Sequence, residues 1–140
     1  MSGAGVERMK VEQQLREFFA EEPDGIIAAY LFGSVARATA NARSDVDAAV
    51  LYACPPPATL EGLPLDLEQR IAQVVGRPAQ VIVLNTAPTG LVHRVLRDGT
   101  LVLDRSPGSR IRFEVRARNE FFDLQPFVAR YRRRKPLSAS

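Results

Sequence analysis

Val11, Leu15, Phe18 and Phe19 recur at helical spacing, which predicts an amphipathic helix over about 6–20. A turn at Glu22-Pro23-Asp24-Gly25 follows, and the apolar run IIAAYLF (26–32) reads as a buried strand. Gly33-Ser34 opens a short helical stretch, VARATA, which leads into the polar turn NARS. DVDAAVLY (45–52) alternates, so a second strand is predicted with Asp45 and Asp47 on one face. ACPPPATLEGLP is a Pro-rich surface loop. Leu67, Ile71, Val74 and Val75 form the stripe of a helix over 65–75, with Gly76 as its stop. AQVIVLN (79–85) is a third strand, and Pro88 opens a helix through Leu91, Val92, Val95 and Leu96 that ends at Asp98-Gly99. TLVLD (100–104) is a fourth, short strand. An arginine-rich helix is predicted over about 109–124, with Pro126 breaking or kinking it before FVARYRRRK.

Strands alternate with helices, so the class is α/β or α+β, with one small sheet covered by helices. The 140 residues suffice for one domain with its own core, taken as 1–125, followed by a basic tail over 126–140. No apolar run approaches the roughly 18–20 residues that span a bilayer. The opening MSGAGVERMK lacks the apolar segment of a secretory signal, and the lone Cys54 cannot form an internal disulfide. A cytoplasmic location is therefore expected. The formal charge of +3 is unevenly spread. Residues 1–104 carry 9 basic and 13 acidic side chains, whereas residues 105–140 carry 10 and 3, a balance of +7. The basic character belongs to the C-terminal end, which suits an acidic partner or nucleic acid and is also common in a solvated tail.

Aspartate is depleted in strands, so Asp45 and Asp47 at the head of an apolar run call for a cause. Two carboxylates on one strand face suit Mg²⁺, which prefers hard oxygen ligands and often combines one or two carboxylates with substrate phosphates. Gly33-Ser34 offers backbone N–H groups and a hydroxyl for phosphates, and a glycine lets the backbone approach closely. Arg37 and Arg43 are placed to reach a triphosphate. Metal and phosphate cradle together describe phosphoryl or nucleotidyl transfer.

Gly33-Ser34, ten residues, then Asp45-Val46-Asp47 resembles the signature of the polymerase-β-like nucleotidyltransferase superfamily. With VLNTAP (83–88), RVLRDGTLVLD (94–104) and FEVRARNEFFDLQPFVARYRR (113–133), the chain resembles the minimal nucleotidyltransferase (MNT) proteins. The resemblance implies that superfamily's fold, a small mixed sheet under helices with a long C-terminal helix. It also implies an antitoxin that neutralises a HEPN-domain ribonuclease toxin, by binding it or by transferring AMP from ATP to one of its tyrosines. Asp45 and Asp47 would then ligate Mg²⁺, and Gly33 and Ser34 would hold the triphosphate. The resemblance further implies a third carboxylate on the next strand, where this chain has Gln80. Glutamine can ligate a metal through its carbonyl but cannot act as a base.

Plainer alternatives stand beside these assignments. Asp45 and Asp47 could be solvated on an edge strand, Gly33-Ser34 a simple turn or cap, and Arg37 and Arg43 ordinary surface charge. His93 is read as a packing or surface histidine, Cys54 as a bystander, and Phe121, Phe122 and Phe127 as core. A catalytically degenerate MNT fold that neutralises by binding alone is the alternative function. A small-molecule transferase would need a further substrate domain, and direct nucleic-acid binding through the tail is disfavoured for want of any RNA-binding motif.

Overall fold

The computed structural model describes residues 3–22, 25–36, 45–56 and 64–134. Along them run α1 (Gly3–Ala20), β1 (Ile26–Phe32), α2 (Gly33–Ala36), β2 (Val46–Tyr52) and α3 (Leu65–Val75). These are followed by β3 (Ala79–Val83), α4 (Thr89–Asp98), β4 (Thr100–Asp104) and α5 (Pro107–Arg134). The strands form one mixed sheet in the order β3-β2-β1-β4. β1 is antiparallel to both β2 and β4, while β3 lies parallel to β2, with α3 as the crossover between them.

Period-two alternation assigns the two sheet faces. Ala29 and Leu31 of β1, Val46, Ala48 and Val50 of β2 and Val81 and Val83 of β3 pack on Val11, Leu15 and Phe19 of α1 and Leu67, Ile71 and Val75 of α3. Ala28, Tyr30 and Phe32 of β1 with Ala49 and Leu51 of β2 face Val92 and Val95 of α4 and Ala117 of α5. The result is three layers: helices, sheet, helices.

Polar links tie these layers together. Arg105 donates to the carbonyls of Phe19 (2.9 Å), Glu22 (2.6 Å) and Ile26 (3.3 Å), so it caps the end of α1 and the entry to β1. The buried Tyr30 hydroxyl donates to Glu114 on α5 at 3.0 Å. Arg110 bridges Glu114 at 2.9 Å and Asp104 at 3.0 Å, pinning α5 to the sheet.

Three elements depart from the sequence pattern, each for a local reason. β3 stops at Val83 rather than Asn85, because the Asn85 side chain replaces the backbone ladder: its Oδ1 accepts from Tyr52 N–H at 2.9 Å and its Nδ2 donates to Tyr52 O at 3.0 Å. Val74 is 43% exposed, so the α3 stripe is narrower than predicted and consists of Leu67, Ile71 and Val75. α5 begins at Pro107 and runs through Pro126 to Arg134, so the boundary drawn at 125/126 falls inside a helix. Pro107 sits at the first helical position, where a missing N–H costs nothing. At Pro126 one backbone bond is forgone, and the helical runs on either side continue across it.

Candidate functional site

The strand register builds the site. Phe32, the last residue of β1, is paired with Asp47, and Asp47 is paired on its other side with Gln80. The end of β1 and the beginnings of β2 and β3 therefore converge on one carboxylate. By alternation Asp47 shares the sheet face of Ala49 and Leu51, the face covered by α4 and α5. Asp47 is half-buried, whereas Gln80 is exposed. Asp45 is also exposed and precedes β2, which begins at Val46.

Gly33 adopts φ +80°, a left-handed conformation that side-chain-bearing residues rarely tolerate. A Cβ here would overlap Asp47 Oδ2 outright and lie 3.2 Å from Asp47 Cγ and 3.3 Å from Asp47 Cβ. The glycine is thus required twice, for its backbone angle and for the space its missing side chain leaves to the carboxylate. Val35 and Ala36, buried beside it, hold the turn against the core. So the Gly33…Asp47 spacing read from sequence closes into direct contact.

Gly33, Asp47 and Gln80 come together, Asp45 leads into the same strand, and the Ser34 backbone continues α2. The Ser34 side chain, Arg37 and Arg43 lie outside the described residues. No cluster of three His, Cys, Asp or Glu able to hold a metal exists among the described residues. The donor set is two carboxylates and the carbonyl oxygen of a neutral amide, all hard oxygen. Magnesium prefers such oxygens, so Asp45, Asp47 and Gln80 are the residues that would hold such an ion.

His93 is a packing residue, as predicted: its ring stacks on Phe121 at 3.7 Å and 3°, with the Phe122 ring edge-on at 6.4 Å. Cys54 is exposed and free. Phe122 is 59% exposed, so it is not core. One feature escaped the sequence pattern, a cleft of about 310 Å³ between the β3–α4 connection, α4 and α5. Leu84, Asn85, Thr89, Phe113, Arg116 and Glu120 line it. Asn85 bonds to Tyr52, five residues along β2 from Asp47, or about 16 Å of strand. This cleft is therefore separate from the carboxylates, and its walls come from segments too far apart in sequence to leave a motif.

The family described as "Polymerase beta, Nucleotidyltransferase" matches residues 13–108, a span that includes Gly33, Asp45, Asp47 and Gln80. The chain belongs to the polymerase beta nucleotidyltransferase family. Its mixed sheet and flanking helices are that family's fold. Among solved structures, a chain of a toxin-antitoxin crystallised with AMP-PNP is 23% identical, with a TM-score of 0.71, covering 82% of this chain and 90% of that one. A chain of the tri-AMPylated Shewanella oneidensis HEPN toxin in complex with MNT antitoxin is 21% identical, with a TM-score of 0.66, covering 85% and 90%. A chain of the toxin-antitoxin MntA-HepT is 21% identical, with a TM-score of 0.65, covering 84% and 90%. At these identities the likeness is one of fold. No curated protein matches the chain.

Proposed function

We propose that this chain is an MNT-type antitoxin that neutralises a HEPN-domain ribonuclease toxin by Mg²⁺-dependent transfer of AMP from ATP to a toxin tyrosine. The observation that carries the reading is the contact of Gly33 with Asp47, which sets a glycine turn directly against a carboxylate at the start of β2. Asp45 and Asp47 would hold the ion together with the phosphates, and Gly33 and Ser34 would cradle the triphosphate. Arg37 and Arg43 would reach the same group. When bound, the ion supplies charge neutralisation at the reacting phosphate. The tyrosine oxygen bonds to the α-phosphorus, the bond from that phosphorus to pyrophosphate breaks, and the phenolic proton passes to water. Gln80 stands beside Asp47 but takes no proton, and lack of a positioned base costs about 10²–10⁴-fold in rate.

The solved relatives support this reading, since one toxin-antitoxin is described with AMP-PNP and another with a tri-AMPylated HEPN toxin. Among the described residues no helix is long and apolar enough to cross a membrane, and the cytoplasm, where ATP and such a toxin meet, is the proposed compartment. Gln80 favours a second reading, in which the chain binds and silences the toxin without transfer. The intact mass of a HEPN-domain toxin co-expressed with this chain, or with its Asp45→Asn/Asp47→Asn variant, separates them. Whole AMP units that vanish with the variant are the expected result. An unmodified toxin that is bound and silenced by both forms would establish the second reading and overturn the first.

A further inference from the structure

Few side chains set the charge available to a cation at the Asp47 end of the sheet. The connection from Gly33-Ser34 to Asp45, VARATANARS, carries Arg37 and Arg43 and no acidic residue. The approach to β3, Gly76-Arg77-Pro78-Ala79, carries none either, and its Arg77 is paired with Glu7 of α1. A Cβ at Gly99 would lie 3.3 Å from the Leu31 carbonyl oxygen, so the end of α4 reaches the same end of β1. The acid there, Asp98, accepts from Arg97 through both carboxylate oxygens, each at 2.9 Å. Asp45 and Asp47 remain, with the neutral Gln80 directly across from Asp47 in the parallel β2–β3 register. Asp45 and Gln80 are exposed and Asp47 is half-buried, so water competes with them for any bare ion.

Two carboxylates balance the charge of one divalent ion and leave nothing for a second. A carboxylate at contact distance changes the affinity for a divalent ion by about thirtyfold even at the dielectric of water. An amide oxygen supplies a ligand without that charge. A triphosphate brings further oxygens and negative charge, and Mg²⁺ is ordinarily held by one or two carboxylates together with such phosphates. The two arginines of the connection favour an anionic metal–nucleotide complex over a bare cation in the same way. From this charge count we infer that the site takes a single divalent cation, which enters only together with the nucleoside triphosphate. The neutral amide of Gln80 sets that number: it withholds the charge that a second ion, clamping both the attacking and the leaving oxygen, would need. Binding is then reciprocal, since the ion tightens the nucleotide by the factor by which the nucleotide tightens the ion. The inference rests on the nucleotide-binding role proposed above and states the metal count of that site.

Equilibrium dialysis of the purified chain, with Mn²⁺ in place of Mg²⁺, tests the count. Bound ion is measured with and without a non-hydrolysable ATP analogue, whose bound amount is read in the same cells. The wild-type chain should hold one ion per bound analogue and, at the same free-ion concentration, none without it. EDTA should release the analogue. Gln80→Glu keeps the shape of the side chain and adds only the charge. It should hold two ions per analogue and bind Mn²⁺ alone at least about thirtyfold more tightly than wild type. Gln80→Asp, a second variant with the carboxylate one methylene closer to the strand, should shift both readings in the same direction. Gln80 is exposed, so helix content by circular dichroism should not change in either variant. Two ions per analogue in wild type, or an ion held as tightly without the analogue as with it, would overturn the inference and leave the nucleotide-binding role intact. Counts and affinities unchanged in both Gln80 variants would do the same. A wild-type chain that binds neither analogue nor ion would overturn the proposed function as well.

Discussion

Gly33 and Gly76 form a natural control pair. Both hold left-handed backbone angles, +80° and +73°, but a Cβ at Gly76 meets nothing within 4 Å, whereas one at Gly33 runs into the Asp47 side chain. Gly76→Ala should therefore cost only the backbone term, about 1–2 kcal/mol. Gly33→Ala should carry that term and a further overpacking cost of about 1–3 kcal/mol. Turning the Asp47 carboxylate aside relieves the overlap with Oδ2, which brings the extra cost towards the low end. It does not relieve the contact with Asp47 Cβ at 3.3 Å. In a chain of this size each kcal/mol lowers the melting temperature by about 3 °C, so the difference between the two variants should be about 3–9 °C. The assay is urea and thermal unfolding of both single variants, repeated in an Asp47→Ala background. There the Gly33→Ala penalty should contract towards that of Gly76→Ala, because the clashing carboxylate is gone. Affinity for the ATP analogue should be lost in Gly33→Ala and kept in Gly76→Ala. Equal stability costs in the two variants, with nucleotide affinity retained in both, would refute the role given to Gly33.

Tyr30→Phe should cost about 1.5–3 kcal/mol at neutral pH, the range for a hydrogen bond to a charged group. Burial first, and then the charge of Glu114, push the Tyr30 hydroxyl well above its ordinary value. A raised folded pKa means that the stabilisation is complete below pH ~10 and is lost above it. The gap between wild type and variant should thus narrow by about 1.4 kcal/mol per pH unit beyond that point, and a gap unchanged to pH ~11 in urea titrations would count against the assignment. Gln80→Asp should raise AMP transfer to the toxin by about tenfold or more if a missing base limits the rate. Equal transfer rates in a single-turnover mass assay would remove that explanation.

Much of the fold was legible because periodicity is local. The apolar run 26–32, the pattern of 45–52 and the helical stripes of Val11, Leu15 and Phe19 or Leu67, Ile71 and Val75 each report burial, and the structure buries the two strands on both sheet faces and each stripe on one side of its helix. Gly33 and Asp47 were legible for a related reason, since they flank the connection between two adjacent antiparallel strands. Chain order decided neither the position of Asn85, whose side chain ends β3, nor the bond from Tyr30 to Glu114 across 84 residues. The same holds for the exposure of Ile111, Val115 and Phe122, which a helical pattern cannot distinguish from core until the inward side of α5 is known. The placement of Gln80 beside Asp47 was anticipated only through the resemblance and needs the parallel β2–β3 register to be seen. Sequence determines which residues must leave water; only the packed sheet and helices determine what each of them meets, because those contacts are made between segments that no local period connects.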